Sequence, residues 1–360
     1  MDERAVWFVR RPCASAEFAR HESSLWTDVR FSRVGGRDER RRHSLPCGRR
    51  RREGGLVTMR DAILRAAALA VRGARHALPL AVRKRLASVV SRRNVPGQVT
   101  IGIELLRDLA RDDPVGFHHY LWANHLAYAK TYELGRFAPG ALEADRKVLF
   151  EQLCAELRRQ GLDPGEDIHS ILDAGCSLGY LLRHAEKSVF PSATTLTGID
   201  IDTRAVAEGS LHLRRIGSRV ELMVAGIEQL DEVLPGRRFD VVISCGSLMY
   251  LDQARAARAV ASLLGHADRV LGLTDWAHPV QDNASLAQSV GRNVDEAWIH
   301  NLDSMVEAAG GHVVFRAWRP PPSRTSDRGV YLLIAAATNP VPVARRSSRP
   351  AGLGRTGREG

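Results

Sequence analysis

The pattern of apolar and polar positions changes near Gly161. From Ala141 to Arg159, apolar residues recur at i, i+3 and i+4, which predicts an amphipathic helix. Beyond Gly161, short apolar runs alternate with helical patterns. The runs predict strands at 168–174, 194–200, 219–225, 239–245 and 268–275, and the stretches between them predict helices at 179–188, 203–215, 227–233 and 252–264. Five strands joined by helices favour right-handed crossovers and a mostly parallel sheet.

Both ends of this alternating region have their own pattern. After the fifth strand the sequence predicts a helix at about 297–309 and strands at 312–319 and 329–337, which we expect to pair as an antiparallel hairpin at the sheet edge. In front of the region, 60–90 reads as helix interrupted at Pro79, and 101–161 as two or three further helices. The sequence therefore predicts an α/β fold with a seven-stranded sheet and an N-terminal helical cap.

Composition divides the chain into four parts. We expect a disordered basic tail at 1–58, a helical cap region at 59–160, the sheet domain at 161–339 and a second disordered basic tail at 340–360. Residues 1–56 carry +6 and residues 340–360 carry +4 of the formal net charge of +11. The folded body is therefore close to neutral, which argues against a nucleic-acid-binding body, because a phosphate track needs its cations on the folded surface. Met59 is a candidate for the true translation start.

The basic stretch 60–93 is open to three interpretations. It holds nine Lys and Arg residues and one acid. A surface helix pair packed on the body is the first; a helix in peripheral contact with an anionic membrane surface is the second; an organelle-targeting peptide that begins at Met59 is the third.

The five cysteines indicate neither zinc nor a disulfide framework, because they have no CxxC spacing and no adjacent His pair. No apolar stretch reaches the roughly 18 residues that a membrane span needs. These features predict a cytoplasmic location.

The most informative motif joins the first two predicted strands. An apolar run ends in Asp173 and is followed by Gly175 and Gly179, the strand, tight turn and helix start of a nucleotide-cofactor site. Glycines there let a ligand lie against the main chain. The second strand ends in Asp200, whose carboxylate could accept hydrogen bonds from both ribose hydroxyls. Asp173 could instead cap the following helix, and Asp202 competes with Asp200 as cap or ligand.

This arrangement resembles the class I S-adenosylmethionine-dependent methyltransferases over about residues 141–338. The resemblance rests on the acid-x-Gly-x-x-x-Gly turn, on Gly198-Ile199-Asp200 and on the fourth strand, Arg238 to Ser244. It implies that the first turn holds the methionine portion, that Asp200 binds the ribose, and that Cys245 to Tyr250 flank the methyl group and acceptor. The implied cofactor is S-adenosylmethionine, and the candidate cofactor-binding residues are Asp173, Gly175, Cys176, Ser177, Gly179, Asp200, Ile201, Ile227 and Ser244.

The sequence departs from the family pattern twice. Ser177 replaces the middle glycine of the turn, which is tolerable if that residue avoids a positive φ. Ile227 stands where an acid often accepts the adenine amine, so Glu228 or the backbone would take that role. A dinucleotide-binding dehydrogenase is the main alternative interpretation, but the GxGxxG spacing of that class is absent from this sequence.

Methyl transfer from a sulfonium depends mainly on positioning, and a base is needed only if the acceptor must lose a proton. His278 and Tyr250 are the candidate catalytic residues, with loop packing as the alternative for both. Tyr128 and Tyr132 could belong to a lid or to an aromatic helix interface. No metal site is expected, because Asp275 lacks a second carboxylate after the fourth strand.

The prolines of base-amino methyltransferases are also missing after Ser244. The sequence therefore favours a methyltransferase that acts on an oxygen or nitrogen atom of a small organic acceptor. A methyltransferase acting on RNA or protein, and a non-catalytic cofactor- or partner-binding protein, are the alternatives. The oligomeric state is left open.

Overall fold

The computed structural model describes residues 70–71, 73, 77–92, 98–127, 133–292, 295–320 and 329–337. Both predicted tails, and Tyr128 and Tyr132, lie outside the described residues. The described strands are β1 Ser170–Ala174, β2 Thr195–Asp200, β3 Val220–Val224, β4 Phe239–Cys245, β5 Ala267–Trp276, β6 Val290–Gly291, β7 Trp298–Ile299, β8 His312–Arg319 and β9 Val330–Ala336. The described α-helices are α1 Leu80–Arg92, α2 Gln98–Asp112, α3 Pro114–Ala123, α4 Ala144–Arg159, α5 Tyr180–His184, α6 Thr203–Arg215, α7 Leu230–Val233, α8 Gln253–Gly265 and α9 Leu302–Ala308.

Seven strands form one sheet in the order β3-β2-β1-β4-β5-β9-β8. The first five are parallel, and β9 lies antiparallel between β5 and β8. The expected mostly parallel sheet and its closing C-terminal hairpin are confirmed. Chain order reverses between β1 and β4, and in an open parallel sheet the crevice at such a reversal is where ligands bind.

Two apolar layers cover the sheet. On one side α8 and α9 pack through residues such as Val260, Leu263 and Val306. On the other side α4, α5 and α6 contribute Leu149, Leu153 and others. Because both faces are covered, the central strands are almost entirely buried, which is why they appear in the sequence as continuous apolar runs.

The cap has an apolar core of its own. Ala87 of α1, Leu105 and Leu106 of α2, and Phe117 and Leu121 of α3 are buried against one another. The α1 helix also leaves Val82, Leu86 and Val89 at least 40% exposed. Among the described residues, no helix combines the length and the apolar character needed to cross a bilayer.

The predicted helix at 297–309 is wrong in its first part. Trp298 and Ile299 form β7, which pairs with Val290 and Gly291 of β6, and α9 begins only at Leu302. Asn301 caps that helix by accepting a hydrogen bond from the Ser304 N–H at 3.0 Å. The two short strands pair across a turn, and such a pairing leaves little periodic signal in two residues.

Candidate active site

The turn after β1 has left-handed backbone at three positions. Gly175, Ser177 and Gly179 have φ values of 86°, 50° and 82°. The expectation that Ser177 avoids a positive φ is therefore wrong. This residue adopts the left-handed conformation that only glycine takes without strain. The reason lies in its hydrogen bond, because this conformation directs the Ser177 N–H to Oδ2 of Asp200 at 2.7 Å.

The same turn is fixed to β2 by its backbone. The N–H groups of Gly175 and Cys176 donate to the Ile199 carbonyl oxygen at 2.8 and 3.0 Å. The Cys176 thiol is buried beside Gly198, and burial raises its pKa well above the usual range, so the thiol stays protonated. Cys176 therefore shapes the turn as a small neutral side chain.

Asp173 ends β1 as a fully buried carboxyl group. Neither of its oxygens has a hydrogen-bond partner among the described residues, so it does not cap a helix here. Burial raises its pKa to about 7, with the Arg146 guanidinium acting in the opposite direction and Asp200 adding to the rise. A buried, unpaired acid is costly in the protein alone, so a cationic ligand group is the natural partner.

Asp200 and Asp202 take different roles at the tip of β2. Asp202 is the N-cap of α6 and accepts hydrogen bonds from the Arg204 and Ala205 N–H groups, both at 2.9 Å. Asp200 accepts through Oδ1 from the Asp202 N–H at 2.8 Å, and its side chain stays partly exposed. Burial raises the pKa of Asp200. Each carboxylate oxygen keeps a second lone pair, so Asp200 can still accept from a ligand.

The tip of β2 and the turn after β3 place apolar residues on one side of the crevice. Ile201 and Ile227 are half-buried, and the Ile201 side chain lies close to the Gly226 backbone. Glu228 is exposed and forms a 3.8 Å ion pair with Arg255 of α8. The structure thus brings Ile201 and Ile227 to this side and directs the Glu228 carboxylate toward Arg255.

At the end of β4, the Ser244 side chain forms a hydrogen bond that joins two strands. Its hydroxyl is buried and donates to the Ala174 carbonyl at 2.9 Å, joining β4 to β1. Tyr250 lies in the 3-10 turn Leu248–Tyr250 that follows β4. Its ring meets two rings of the cap, His118 at 4.8 Å and Trp122 at 5.0 Å between centroids.

His278 lies in the loop after β5, with different neighbours. Its Nδ1 accepts from the Val280 and Gln281 N–H groups at 3.3 and 3.2 Å, and its carbonyl oxygen accepts from Trp318 Nε1 at 2.8 Å. In the neutral ring with Nδ1 as acceptor, Nε2 carries the proton. The described contacts of His278 therefore hold the loop and do not join it to Tyr250.

Arg146 is a site residue that sequence reasoning missed. It lies in the first turn of α4, is half-buried, and donates from a terminal guanidinium nitrogen to Thr274 Oγ1 of β5. Its Nε has no hydrogen-bond partner among the described residues. Burial lowers its pKa, but Cys245, Asp145 and other nearby acidic groups raise it further, so Arg146 is a permanent cation that acts on both Asp173 and Asp275. One signal was present: Arg146 occupies the apolar stripe of α4, three residues before buried Leu149.

The family comparison follows from this geometry. Residues 171–267, from β1 to the start of β5, match the family model described as "Methyltransferase domain". Residues 171–267 carry a class I methyltransferase domain. Enzymes of this class use S-adenosylmethionine as methyl donor, so the expected family, enzyme class and cofactor are confirmed. Comparison with curated protein sequences finds no match.

Solved structures of methyltransferases are similar to this chain at low identity. Magnesium protoporphyrin IX methyltransferase from Synechocystis PCC 6803 with bound SAH is 18% identical, with 64% of this chain and 98% of that chain covered and a TM-score of 0.39. A Burkholderia thailandensis 1,6-didemethyltoxoflavin-N1-methyltransferase is 15% identical, with 55% and 80% covered and a TM-score of 0.41. A Clostridium acetobutylicum S-adenosylmethionine-dependent methyltransferase is 11% identical, with 54% and 92% covered and a TM-score of 0.39. Scores this low carry no argument about the substrate.

The methyltransferase domain has no group of three or more His, Cys, Asp or Glu side chains able to hold a metal ion among its described residues. Among the described residues, Cys154, Cys176 and Cys245 are free thiols.

Proposed function

We propose that this protein transfers the methyl group of S-adenosylmethionine to an oxygen or nitrogen atom of a small organic acceptor, in the cytoplasm. The observation that carries the proposal is the buried carboxyl group of Asp173, which has no partner among the described residues and lies at the start of a turn with left-handed Gly175 and Gly179. This arrangement fits the ammonium group of the methionine portion. When bound, the cofactor supplies an electrophilic methyl group on a sulfonium.

The chain's own residues bind and orient the cofactor. Asp173 pairs with the ammonium group, and Gly175 lets the Ser247 side chain pack directly on the turn, since a Cβ at Gly175 would meet it. Asp200 accepts from the ribose hydroxyls, while Ile201 and Ile227 pack on the adenine. The guanidinium of Arg146 is the natural partner for the methionine carboxylate, because its Nε is buried without a partner among the described residues.

The small-molecule assignment is supported by charge and by contacts at the crevice. The folded body is near neutral, and the cap residues His118 and Trp122 lie against Tyr250 at the carboxyl edge of the sheet. A cap over the crevice limits the size of an acceptor and excludes water from the reacting atoms.

Calorimetric titration with S-adenosylmethionine tests the cofactor site first. The parent chain binds, and Asp200→Ala weakens binding about 5- to 150-fold, the 1–3 kcal/mol expected for lost hydrogen bonds to a charged group. Lack of binding by the parent chain would refute the proposal.

An acceptor screen that follows S-adenosylhomocysteine release then tests the reaction. Deletion of residues 1–58 distinguishes acceptor classes: unchanged turnover of a small acceptor supports the proposal. Methylation of RNA or protein that requires this segment would favour the macromolecular alternative.

A further inference from the structure

Four aromatic rings from three separate parts of the chain meet beside the methyl-transfer crevice. His118 and Trp122 come from α3, Tyr250 from the turn after β4, and Trp298 from β7. The ring centroids of His118 lie 4.8 Å from Tyr250 and 6.5 Å from Trp298, and those of Trp122 and Tyr250 lie 5.0 Å apart. We refer to these four side chains as the aromatic cluster.

The aromatic cluster differs from ordinary core packing. Tyr250 and Trp298 belong to none of the three apolar clusters formed by the described residues. His118 is buried, whereas Trp122, Tyr250 and Trp298 each keep part of their surface exposed. Large rings grouped at a ligand crevice and left incompletely covered are typical of a binding surface.

Buried polar atoms without partners surround the same rings. Oδ2 of Asp275, Nε1 of Trp276 and Nε2 of His118 have no hydrogen-bond partner among the described residues. Nearly all buried polar atoms in folded proteins are paired, so these atoms, one in the aromatic cluster and two on neighbouring residues of β5, are available to pair with a ligand. Desolvation lowers the pKa of His118 to about 4, so its ring is neutral near pH 7.

Asp275 is the charged group of this set. It ends β5 beside Arg146 and Arg292, and its Oδ1 accepts the Trp276 N–H at 2.9 Å. Burial raises the pKa of the Tyr250 hydroxyl, and the nearby carboxyl groups of Asp295 and Asp275 add to the rise, so Asp275 lies close to the aromatic cluster and Tyr250 stays neutral. Arg292 covers the Trp276 ring at 4.1 Å and pairs with Asp295 at 3.2 Å.

We propose that the aromatic cluster binds a planar conjugated acceptor that carries a ring hydroxyl or ring N–H, and that Asp275 Oδ2 accepts its proton. This inference rests on the proposed function. Flat rings stack on the flat walls, and the unpartnered atoms of His118 and Trp276 bond to the polar edge of the acceptor.

In the proposed methyl transfer, sulfur keeps the electron pair of the broken bond and Asp275 takes the proton. The acceptor oxygen or nitrogen forms a bond to the methyl carbon as the carbon–sulfur bond breaks, and that electron pair stays on sulfur. The acceptor proton passes to Asp275 and then to solvent. Burial raises the pKa of Asp275 to about 7, which suits a base working near neutral pH.

Binding of matched ring pairs tests the inference. The probes are 2-naphthol, 8-hydroxyquinoline and indole, each compared with its fully saturated counterpart, and the readout is calorimetric titration of the protein saturated with S-adenosylhomocysteine. We expect at least one planar probe to bind ten or more times more tightly than its counterpart. Equal affinities for all three pairs would overturn the inference.

Variants then locate the site. Trp122→Leu and Trp298→Leu each weaken binding of that probe at least tenfold. Trp298→Phe, which keeps an aromatic ring, retains most of the parent affinity. Trp318→Leu is the control: Trp318 lies outside the aromatic cluster, so probe binding is unchanged. Asp275→Asn leaves probe binding within threefold but lowers kcat for its methylation about 100-fold, the usual size of general-base catalysis. An unchanged kcat would refute the role of Asp275.

Titration of each variant with S-adenosylmethionine keeps the two proposals distinguishable. Loss of cofactor binding by the parent chain refutes the proposed function. Normal cofactor binding without any preference for planar probes refutes only the acceptor class.

Discussion

Replacing Asp173 by Asn should stabilise the protein at alkaline pH while damaging its cofactor site. The pKa of this carboxyl group rises from 3.8 to about 7 in the fold, chiefly through burial. Because each pH unit corresponds to about 1.4 kcal/mol, holding the charged form inside the protein costs about 4 kcal/mol above pH 7. An asparagine is free of that cost.

The sign follows from proton binding. Between pH 3.8 and 7 the folded state binds more protons at Asp173 than the unfolded state does, so this residue makes the parent less stable as pH rises. The buried amide of the variant has a pH-independent cost of about 1–3 kcal/mol. The change with pH therefore isolates the charge: from pH 5 to pH 8.5, Asp173→Asn should gain about 3 kcal/mol relative to the parent.

Urea unfolding of both chains without ligand, at pH 5 and pH 8.5, measures this difference. Arg146 and Asp200, the charged groups that act on Asp173, are present in both chains. Asp112→Asn, at an exposed position in α2, is the matched control and should show no pH-dependent gain.

Calorimetric titration with S-adenosylmethionine tests the predicted damage to the cofactor site. Loss of a buried charge pair costs at least 2 kcal/mol, so Asp173→Asn should bind S-adenosylmethionine about 30-fold or more weakly. A stability difference that is the same at both pH values would refute the argument about the buried charge. Full cofactor affinity in the variant would refute its proposed role.

Three further substitutions test the turn and its supports by urea unfolding at pH 7. Ser177→Gly should raise the free energy of unfolding by up to about 1 kcal/mol, because it relieves a φ of 50°; no gain would show that the hydrogen bond to Asp200 offsets the strain. Gly209→Ala should lower it by about 2 kcal/mol or more, since the new Cβ would meet the Leu178 carbonyl oxygen at 2.5 Å, and a neutral effect would mean that α6 moves freely. Asp202→Ala should lower it by about 1–2 kcal/mol through loss of the α6 cap, whereas an unchanged value would mean that water replaces the cap.

The sequence predicted the sheet well because its strands are buried on both faces. The fourth strand was expected at 239–245, which is the observed β4, and the other four differ by one or two residues at their ends. Continuous apolar runs between helices leave few alternatives. The pairing of β6 with β7 depends on two residues from each side, and the sequence carried no comparable signal for it.

The site was only partly predictable, for a different reason. Asp173, Gly175 and Gly179 lie in one short turn, and Asp200 ends the next strand, so their proximity follows from the predicted parallel pairing of β1 with β2. Arg146 and His118 reach the crevice only through tertiary packing of α4 and α3. The positive φ of Ser177 likewise depends on a carboxylate 23 positions further along the chain.

The α3 helix contacts both ligand positions proposed for this domain. His118 and Trp122 belong to the aromatic cluster, and His125, just beyond the helix, pairs with Asp202 at 2.7 Å, whose N–H in turn donates to Asp200. One helix therefore contacts both proposed ligand positions, so we expect binding of either ligand to raise the affinity for the other, by the same factor. The helix makes these contacts whether the sulfur carries its methyl group or not. Excess acceptor should then retain the spent cofactor, and turnover would slow at high acceptor concentration.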